Sequence, residues 1–325
     1  MARQLYHKQN RARRVVVLSE APLPGQGISR NAQELAQLTE TARLLGCQIV
    51  PLPPEGAAHA SAEEALAALG AVPYSPPAHT PTLPSKPVMP GIWIGSIPTL
   101  VHYRAVYRAA RAQGIHLVNS PAQHQRALEG DRALVMLGDL TPETIVVTAP
   151  AQCATAAARL GFPLFVKGVV KSRKEAGWAA CVATTLPELH DLVAQTLARA
   201  PMTRGRVLVR RLVPLRYVEG ALGDFPISRE YRVFLYREQV LAFGFYWEEY
   251  ADTWRFSASD EQAMLTVAQE AARRLRVPFL IVDVAQQESG AWVVIEVGDA
   301  QFAGLSQVPP LRLWSGLLRA LGAMD

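Results

Sequence analysis

The chain has 325 residues, of which 50% are hydrophobic and 19% are charged, and its formal net charge is +5. This composition excludes an intrinsically disordered chain, and the lack of any run of about 18 apolar residues excludes a membrane-spanning helix. A chain of this length is expected to fold into two or three packed units. The protein is also expected to lie in the cytoplasm, without a membrane partner. The mild basic excess permits nucleic acid as a partner but does not favour it.

The first 120 residues predict a Rossmann-like domain with a parallel sheet. Apolar strands are predicted at residues 14–18 and 92–95, with a helical pattern over residues 31–45 between them. No GxGxxG follows the first strand, so no dinucleotide site is predicted there. Seven prolines between residues 72 and 90 exclude a regular helix or central strand and predict a long surface loop.

After this domain the pattern changes from α/β to α+β. Ser120 and Pro121 provide an N-cap and a first-turn proline, so one helix is predicted to begin there and to run to residue 137. Strands and helices then alternate, and two strand pairs separated by a helix follow. We therefore expect three parts, namely the N-terminal domain over 1–120 and two further parts over 121–213 and 214–325.

Lysine is rare in this chain, and its distribution indicates an anion site. Only five of the 33 basic residues are lysine, and Lys167, Lys171 and Lys174 fall within eight residues. Lys167 ends the strand predicted at residues 163–168, which fixes one ammonium group at the rim of a sheet. The other two lysines lie in the loop that follows, which could close over phosphates. A solvated basic turn is the alternative.

Acidic residues lie inside or just after apolar strands near the end of the chain. Asp283 and Glu296 are surrounded by valine and isoleucine, where an unpaired carboxylate is costly. Asp299 follows Glu296 at or just past the predicted end of its strand, so the three acids could converge on one point. Carboxylate oxygens without histidine nearby favour magnesium over zinc. The alternative is that Asp283 and Glu296 form salt bridges with arginines.

Arginines on predicted strands are the remaining site candidates. Arg232 shares one side of its strand with Glu230, and from there it could hold a transferring phosphoryl group. Arg210 and Arg211 are adjacent on a strand, so at most one of their side chains faces the same cleft.

Taken in order, these motifs resemble the ATP-grasp superfamily. The resemblance covers residues 120–305 and implies a two-lobed α/β and α+β fold, with a small lobe over 121–213 and a C-terminal lobe over 214–325. The segments NSPAQHQRALEGDR, FVKGVVKSRKEAGW, SREYRVF and IEVGDAQFAGL are similar to the bacterial ATP-grasp clade that is named for its arginine and lysine residues. The resemblance implies ATP and Mg²⁺ as cofactors.

The resemblance also implies how the nucleotide is bound. Lys167 would contact the phosphates, and the loop that contains Lys171 and Lys174 would cover them. On the strand that joins the lobes, the backbone of Arg211 and of Val213 would face the adenine.

For the metal and the chemistry, the resemblance implies a second set of residues. Asp283 and Glu296 would hold magnesium, and Asp299 would add a third metal oxygen. Lys167 and Arg232 would bear the charge that develops during phosphoryl transfer, and Lys171 is expected to be catalytic together with Arg232.

Most ATP-grasp enzymes phosphorylate a carboxylate and let an amine attack the acyl phosphate. The resemblance therefore implies an ATP-dependent ligase that forms an amide or peptide bond between small-molecule, peptide or protein substrates. One alternative is transfer of the nucleotide itself, as in RNA-end ligases, through an adenylated Lys167. Another is a regulatory protein that only binds ATP.

Substrate recognition is expected in three segments, namely the proline-rich loop, residues 218–228 and residues 247–254 (WEEYADTW). The last of these could bind a cationic amine, or it could be a solvated acidic loop with packed tryptophans. Because ATP-grasp relatives are often dimers, a homodimer is one option. The three scattered cysteines are expected to be reduced core residues: Cys47, Cys153 and Cys181.

Overall fold

A computed structural model of the chain describes residues 15–20, 30–55, 88–222, 224–248, 250 and 257–324. Residues 1–14 and most of the proline-rich loop, residues 72–87, lie outside the described residues. The chain divides into two compact units. One comprises residues 1–122, 300–305 and 309–325, and the other comprises residues 123–299 and 306–308. The three-part division expected from the sequence stays a prediction.

The first unit is built on a parallel four-stranded sheet with the order β2-β1-β3-β4. Its strands are β1 (Val16–Ser19), β2 (Gln48–Pro51), β3 (Met89–Ile94) and β4 (Ile115–Leu117), and its first helices are α1 (Arg30–Leu44) and α2 (Leu100–Ala112). Buried side chains from the strands and α2, including Leu18, Trp93 and Tyr103, form its core. The predicted Rossmann-like parallel sheet is confirmed, and β4 is an additional strand that the sequence pattern did not indicate.

The second unit contains two four-stranded sheets, with the orders β5-β8-β6-β7 and β12-β11-β13-β14. The first consists of β5 (Thr144–Val147), β6 (Leu164–Gly168), β7 (Val182–Ala183) and β8 (Val207–Arg211). A separate hairpin pairs β9 (Tyr217–Leu222) with β10 (Phe225–Ser228). The second sheet consists of β11 (Glu230–Tyr236), β12 (Gln239–Phe245), β13 (Phe279–Gln286) and β14 (Trp292–Asp299). All strand pairs in these sheets are antiparallel.

Each sheet of the second unit has its own helices and its own core. The helices are α3 (Pro121–Leu128), α4 (Gly130–Leu137), α5 (Cys153–Leu160), α6 (Leu186–Leu197), α7 (Ala200–Thr203) and α8 (Ala258–Leu275), and α9 (Pro310–Ala320) completes the first unit. Helices α5 and α6 cover one sheet and α8 covers the other. The three cysteines are buried and free, as expected. Among the described residues, none of the helices combines the length and the apolar character needed to cross a bilayer.

The single helix predicted over residues 121–137 is two helices, because the chain turns at Glu129. Glu129 has extended backbone angles, with φ −91° and ψ 104°. The N–H of Gly130 donates to the carbonyl oxygen of Val169 over 2.8 Å, which ties the start of α4 to the loop after β6. The apolar segment over residues 178–183 is extended only in β7.

Glu129 holds this turn in place through a buried carboxylate. Its oxygens accept hydrogen bonds from Arg132 over 2.8 Å, Arg204 over 2.6 Å and Arg206 over 2.7 Å. Burial alone would raise the pKa of Glu129, but these guanidinium groups lower it from 4.5 to about 2. Because the folded-state pKa lies below the unfolded value, the carboxylate stabilises the fold above pH 4.5, and this contribution disappears as the pH falls towards 2.

Glu129→Gln is therefore expected to lower the free energy of unfolding by roughly 3 kcal/mol at pH 7. The difference from the wild type should shrink as urea unfolding is repeated from about pH 4.5 towards about pH 3. Glu40→Gln, which removes the exposed partner of Arg43, serves as the control and should change stability by less than about 0.5 kcal/mol. A Glu129→Gln difference that stays constant with pH would contradict this assignment.

Candidate active site

Lys167 lies near the end of β6, an inner strand of its sheet. Its side chain is buried, and its Nζ atom is 2.9 Å from Oε1 of Glu296 on the other sheet of the same unit. The next residue must be small, because a Cβ atom on Gly168 would lie 2.3 Å from the carbonyl oxygen of Met202. The contact between Lys167 and Glu296 joins the two sheets at one point.

Asp283 and Glu296 are direct neighbours on the second sheet. The strand registers pair Asp283 with Glu296 on one side and with Arg232 on the other. Directly opposed residues project from the same face of a sheet. Nε and Nη2 of Arg232 each donate to one carboxylate oxygen of Asp283 over 2.9 Å. The salt bridge to arginine that the sequence left open is thus present at Asp283, whereas Glu296 pairs with a lysine.

Burial and charge act in opposite directions on these groups. Burial lowers the pKa of Lys167 below its ordinary value, and the attraction of Glu296 offsets only part of this effect. Burial tends to raise the pKa of Glu296, but Lys167 and Lys174 hold that pKa below its ordinary value. Glu296 is therefore a carboxylate at neutral pH, the form that binds a cation.

The third acid expected at this point, Asp299, does not lie beside the other two. Strand β14 continues through Asp299, so residues three apart on it, Glu296 and Asp299, point to opposite faces. Oδ2 of Asp299 is 2.9 Å from Nδ1 of His124, and both side chains are fully buried. In the part of the chain that the structure describes, no group of three or more His, Cys, Asp or Glu side chains could hold a metal ion. The expected convergence of three acids is not found.

The remaining two acids, Asp283 and Glu296, are of the ligand type that magnesium binds. Mg²⁺ retains several waters and is commonly held by one or two carboxylates together with substrate phosphates. Asp283 and Glu296 provide two such carboxylates on one sheet face, and Lys167 contacts Glu296. A magnesium site of this kind does not require Asp299.

The basic loop after β6 places its two lysines in different surroundings. Lys171 is exposed, whereas the side chain of Lys174 is only 13% exposed. Nζ of Lys174 lies 3.7 Å from Oε2 of Glu230 and 4.9 Å from the ring centroid of Tyr246. Burial alone would lower the pKa of Lys174, but the attraction of Glu230 raises it above its ordinary value. Lys174 is therefore a fixed positive charge.

The two arginines at the end of β8 face opposite ways, as adjacent strand residues do. Arg210 is buried, and its Nη1 donates to the carbonyl oxygen of Ile295 over 2.7 Å. Arg211 is exposed and pairs with Glu143 at 3.1 Å, and its backbone N–H donates to the carbonyl oxygen of the same residue. Only the Arg210 side chain reaches the second sheet.

A pocket is lined by residues from both sheets. The predicted site residues that line it are Lys167, Lys174, Arg211, Val213 and Glu296. Aromatic rings add flat apolar walls, and they belong to Phe165, Trp178, Tyr217 and Phe225. The remaining predicted residues are not among the lining, although Arg232 and Asp283 lie on the same sheet face as Glu296.

Glu230 also lines the pocket, and the sequence indicated it only as a neighbour of Arg232. It is 1% exposed, and its Oε2 accepts a hydrogen bond from Oγ of Ser228 over 2.9 Å. Among the described residues, Oε1 of Glu230 has no hydrogen-bond partner. A buried carboxylate oxygen in this state is costly, so its position suits a donor group from a ligand.

Comparison with known families identifies the domain that carries these residues. One family model matches residues 158–317, and it describes an ATP-grasp domain, family 3 of the clade named for its arginine and lysine residues. These residues form an ATP-grasp domain of that clade. The match includes Lys167, Arg232 and Glu296, and it confirms the predicted resemblance to the ATP-grasp superfamily and to this clade.

Solved structures support the two-lobed ATP-grasp fold beyond the matched residues. The chain is similar to a RimK domain protein ATP-grasp from Sphaerobacter thermophilus DSM 20745, with 16% identity, 94% of this chain and 99% of that chain covered, and a TM-score of 0.53. It is also similar to the ATP-grasp ligase PsnB complexed with minimal precursor, Mg and ADP, with 15% identity, coverage of 95% and 98%, and a TM-score of 0.55. For D-alanine–D-alanine ligase from Bacillus anthracis complexed with ATP, the identity is 14%, the coverage is 91% and 88%, and the TM-score is 0.56. No curated protein matches the sequence.

Proposed function

We propose that this ATP-grasp enzyme is a magnesium-dependent carboxylate–amine ligase that forms an amide or peptide bond through an acyl phosphate. The observation that carries this proposal is the meeting of Lys167 with Glu296 at 2.9 Å on the pocket that both sheets line. A cation for phosphates and a carboxylate for a metal are thereby held at one point. No nucleophilic side chain is needed for such a reaction.

In the proposed complex the adenine lies against the backbone of Arg211 and Val213. The phosphates extend towards Lys167 and Lys174, with the exposed Lys171 approaching from the loop. This orientation is supported by the pocket lining, which includes Arg211 and Val213 as well as the two lysines Lys167 and Lys174.

Magnesium would be held by Asp283 and Glu296, and when bound it neutralises phosphate charge. Arg232, fixed by its bidentate pair with Asp283, is proposed to stabilise the transferring phosphoryl group. Asp299 is left out of this metal site, because it faces the other side of the sheet and pairs with His124.

The proposed reaction has two steps. A carboxylate oxygen of the donor attacks the γ-phosphorus of ATP, the bond to ADP breaks, and an acyl phosphate forms. A neutral amine then attacks the acyl carbon, phosphate leaves, and the amine loses a proton. The donor and the acceptor are small molecules, peptides or protein chain ends, and cytoplasmic location and a homodimer stay predictions.

Trapping with hydroxylamine tests this proposal, because hydroxylamine replaces the amine and converts an acyl phosphate into a hydroxamate. Pools of amino acids and short peptides should be offered as donors with magnesium and ATP. One pool is expected to give both ADP and hydroxamate, and both products should be lost with Lys167→Ala. Hydroxamate accompanied by AMP in place of ADP would contradict the acyl phosphate route.

Transfer of the nucleotide through Lys167 is the second candidate. One observation favours it, since burial lowers the pKa of Lys167 and so increases the fraction of its nucleophilic neutral amine. The 2.9 Å contact with Glu296 acts in the opposite direction, because it stabilises the charged ammonium. A protein band labelled by α-labelled ATP, lost with Lys167→Ala, would support this candidate.

A further inference from the structure

The loop that contains Lys171 and Lys174 is held by the β9–β10 hairpin. Oδ1 of Asp224, at the turn of the hairpin, accepts a hydrogen bond from the backbone N–H of Trp178 over 2.8 Å. Trp178 ends the segment that runs from β6 over the pocket, which we call the phosphate loop (residues 169–178). The contact therefore joins two segments that both line the pocket.

The backbone of the phosphate loop is shaped for this contact. Gly177 has a φ of +92°, a conformation that residues with side chains rarely adopt. A Cβ atom on Gly177 would lie only 2.2 Å from Oδ1 of Asp224. Glycine thus allows the carboxylate to approach the N–H of Trp178 directly.

Side chains of the loop and the hairpin meet on the pocket side of this hydrogen bond. The rings of Trp178 and Phe225 lie 5.5 Å apart. Nζ of Lys174 lies 5.9 Å from the centroid of Phe225 and 5.2 Å from that of Trp247. Aromatic faces attract an ammonium group in this way, so the position of Lys174 depends on where the hairpin holds the loop.

We propose that Asp224 is a positioning residue that holds the phosphate loop closed over bound ATP. The inference rests on the proposed binding of ATP in this pocket. Asp224 does not line the pocket, and it acts through the backbone of Trp178. Loss of its hydrogen bond allows the phosphate loop to open, which increases the rate of nucleotide dissociation. The two sheets stay intact.

The test is the dissociation rate of a fluorescent ATP analogue, mant-ATP, measured by stopped flow in the presence of magnesium. Asp224→Ala is expected to release it about tenfold faster or more, which corresponds to the loss of one hydrogen bond to a charged group. Asp224→Asn keeps an acceptor oxygen and should stay within about twofold of the wild type. Gly177→Ala should increase the rate in the same direction as Asp224→Ala, since its methyl group would displace the carboxylate.

The matched control is Asp191→Ala, which removes an exposed acid from α6 and should leave the rate unchanged. Melting temperatures measured alongside should agree for the wild type, Asp224→Ala and the control. An unchanged rate for Asp224→Ala, or equal effects of Ala and Asn, would overturn the inference while leaving ATP binding in place. A wild type that does not bind mant-ATP or ATP would overturn the proposed function, and the inference with it.

Discussion

Glu296→Gln is expected to lower ATP turnover by about a hundredfold or more. The glutamine keeps an oxygen that can accept from Nζ of Lys167, so the contact between the sheets survives. It loses the negative charge that the proposed magnesium site needs, and only Asp283 remains as a carboxylate there. When turnover is measured at several magnesium concentrations, the variant should need more magnesium than the wild type. Even high magnesium should restore only part of the wild-type turnover.

Glu288→Gln is the matched control, since it changes an exposed acid on the turn between the same two strands, β13 and β14. It should leave turnover and its magnesium dependence unchanged. Turnover by Glu296→Gln within about twofold of the wild type would mean that Glu296 serves only as the structural partner of Lys167.

Arg232→Met is expected to lower both stability and activity. It leaves the carboxylate of Asp283, which has no exposed surface, without the guanidinium group that neutralises it. Removing one partner of a buried ion pair typically costs about 3 to 5 kcal/mol. Urea unfolding should show that loss, and turnover should fall because the proposed phosphoryl contact is absent.

A double variant separates these two effects. Arg232→Met combined with Asp283→Leu replaces the buried pair by apolar groups, and such replacements are often neutral for stability. The double variant should regain most of the stability but no activity. If the double variant regained turnover as well, neither residue would take part in the reaction.

The sequence predicts those parts of the site that depend on the period of a strand. Alternation places Glu230 and Arg232 on one side of β11, and the structure shows both on the face that carries Asp283. Because Lys167 ends an apolar run, the sequence likewise indicated that this lysine lies near the end of a strand. These features depend on spacing within one strand, which the sequence displays directly.

Asp299 shows how sensitive such a prediction is to the end of a strand. A strand that stopped after Glu296 would leave Asp299 free to turn back towards the other acids. Strand β14 instead extends through Asp299, and alternation then fixes its side chain on the opposite face, next to His124. Element boundaries are the least reliable part of a prediction from sequence.

Contacts between distant segments could not be predicted. Lys174 meets Tyr246 and Trp247, which follow it by some seventy residues, and their approach depends on how the two sheets pack. The hairpin residues 217–228 contain glycine and proline, which obscure the alternation of a strand. For that reason the contact of Asp224 with the phosphate loop was not foreseen.

The identity of the nucleotide product tests the proposed ligase most directly. The purified protein should be incubated with magnesium and with ATP labelled at the α- or at the γ-phosphate, in parallel with Lys167→Ala and Glu296→Ala. We predict ADP and free phosphate, increased by one carboxylate and amine pair and lost in both variants. AMP with pyrophosphate, or label retained on the protein from the α-phosphate, would contradict this account.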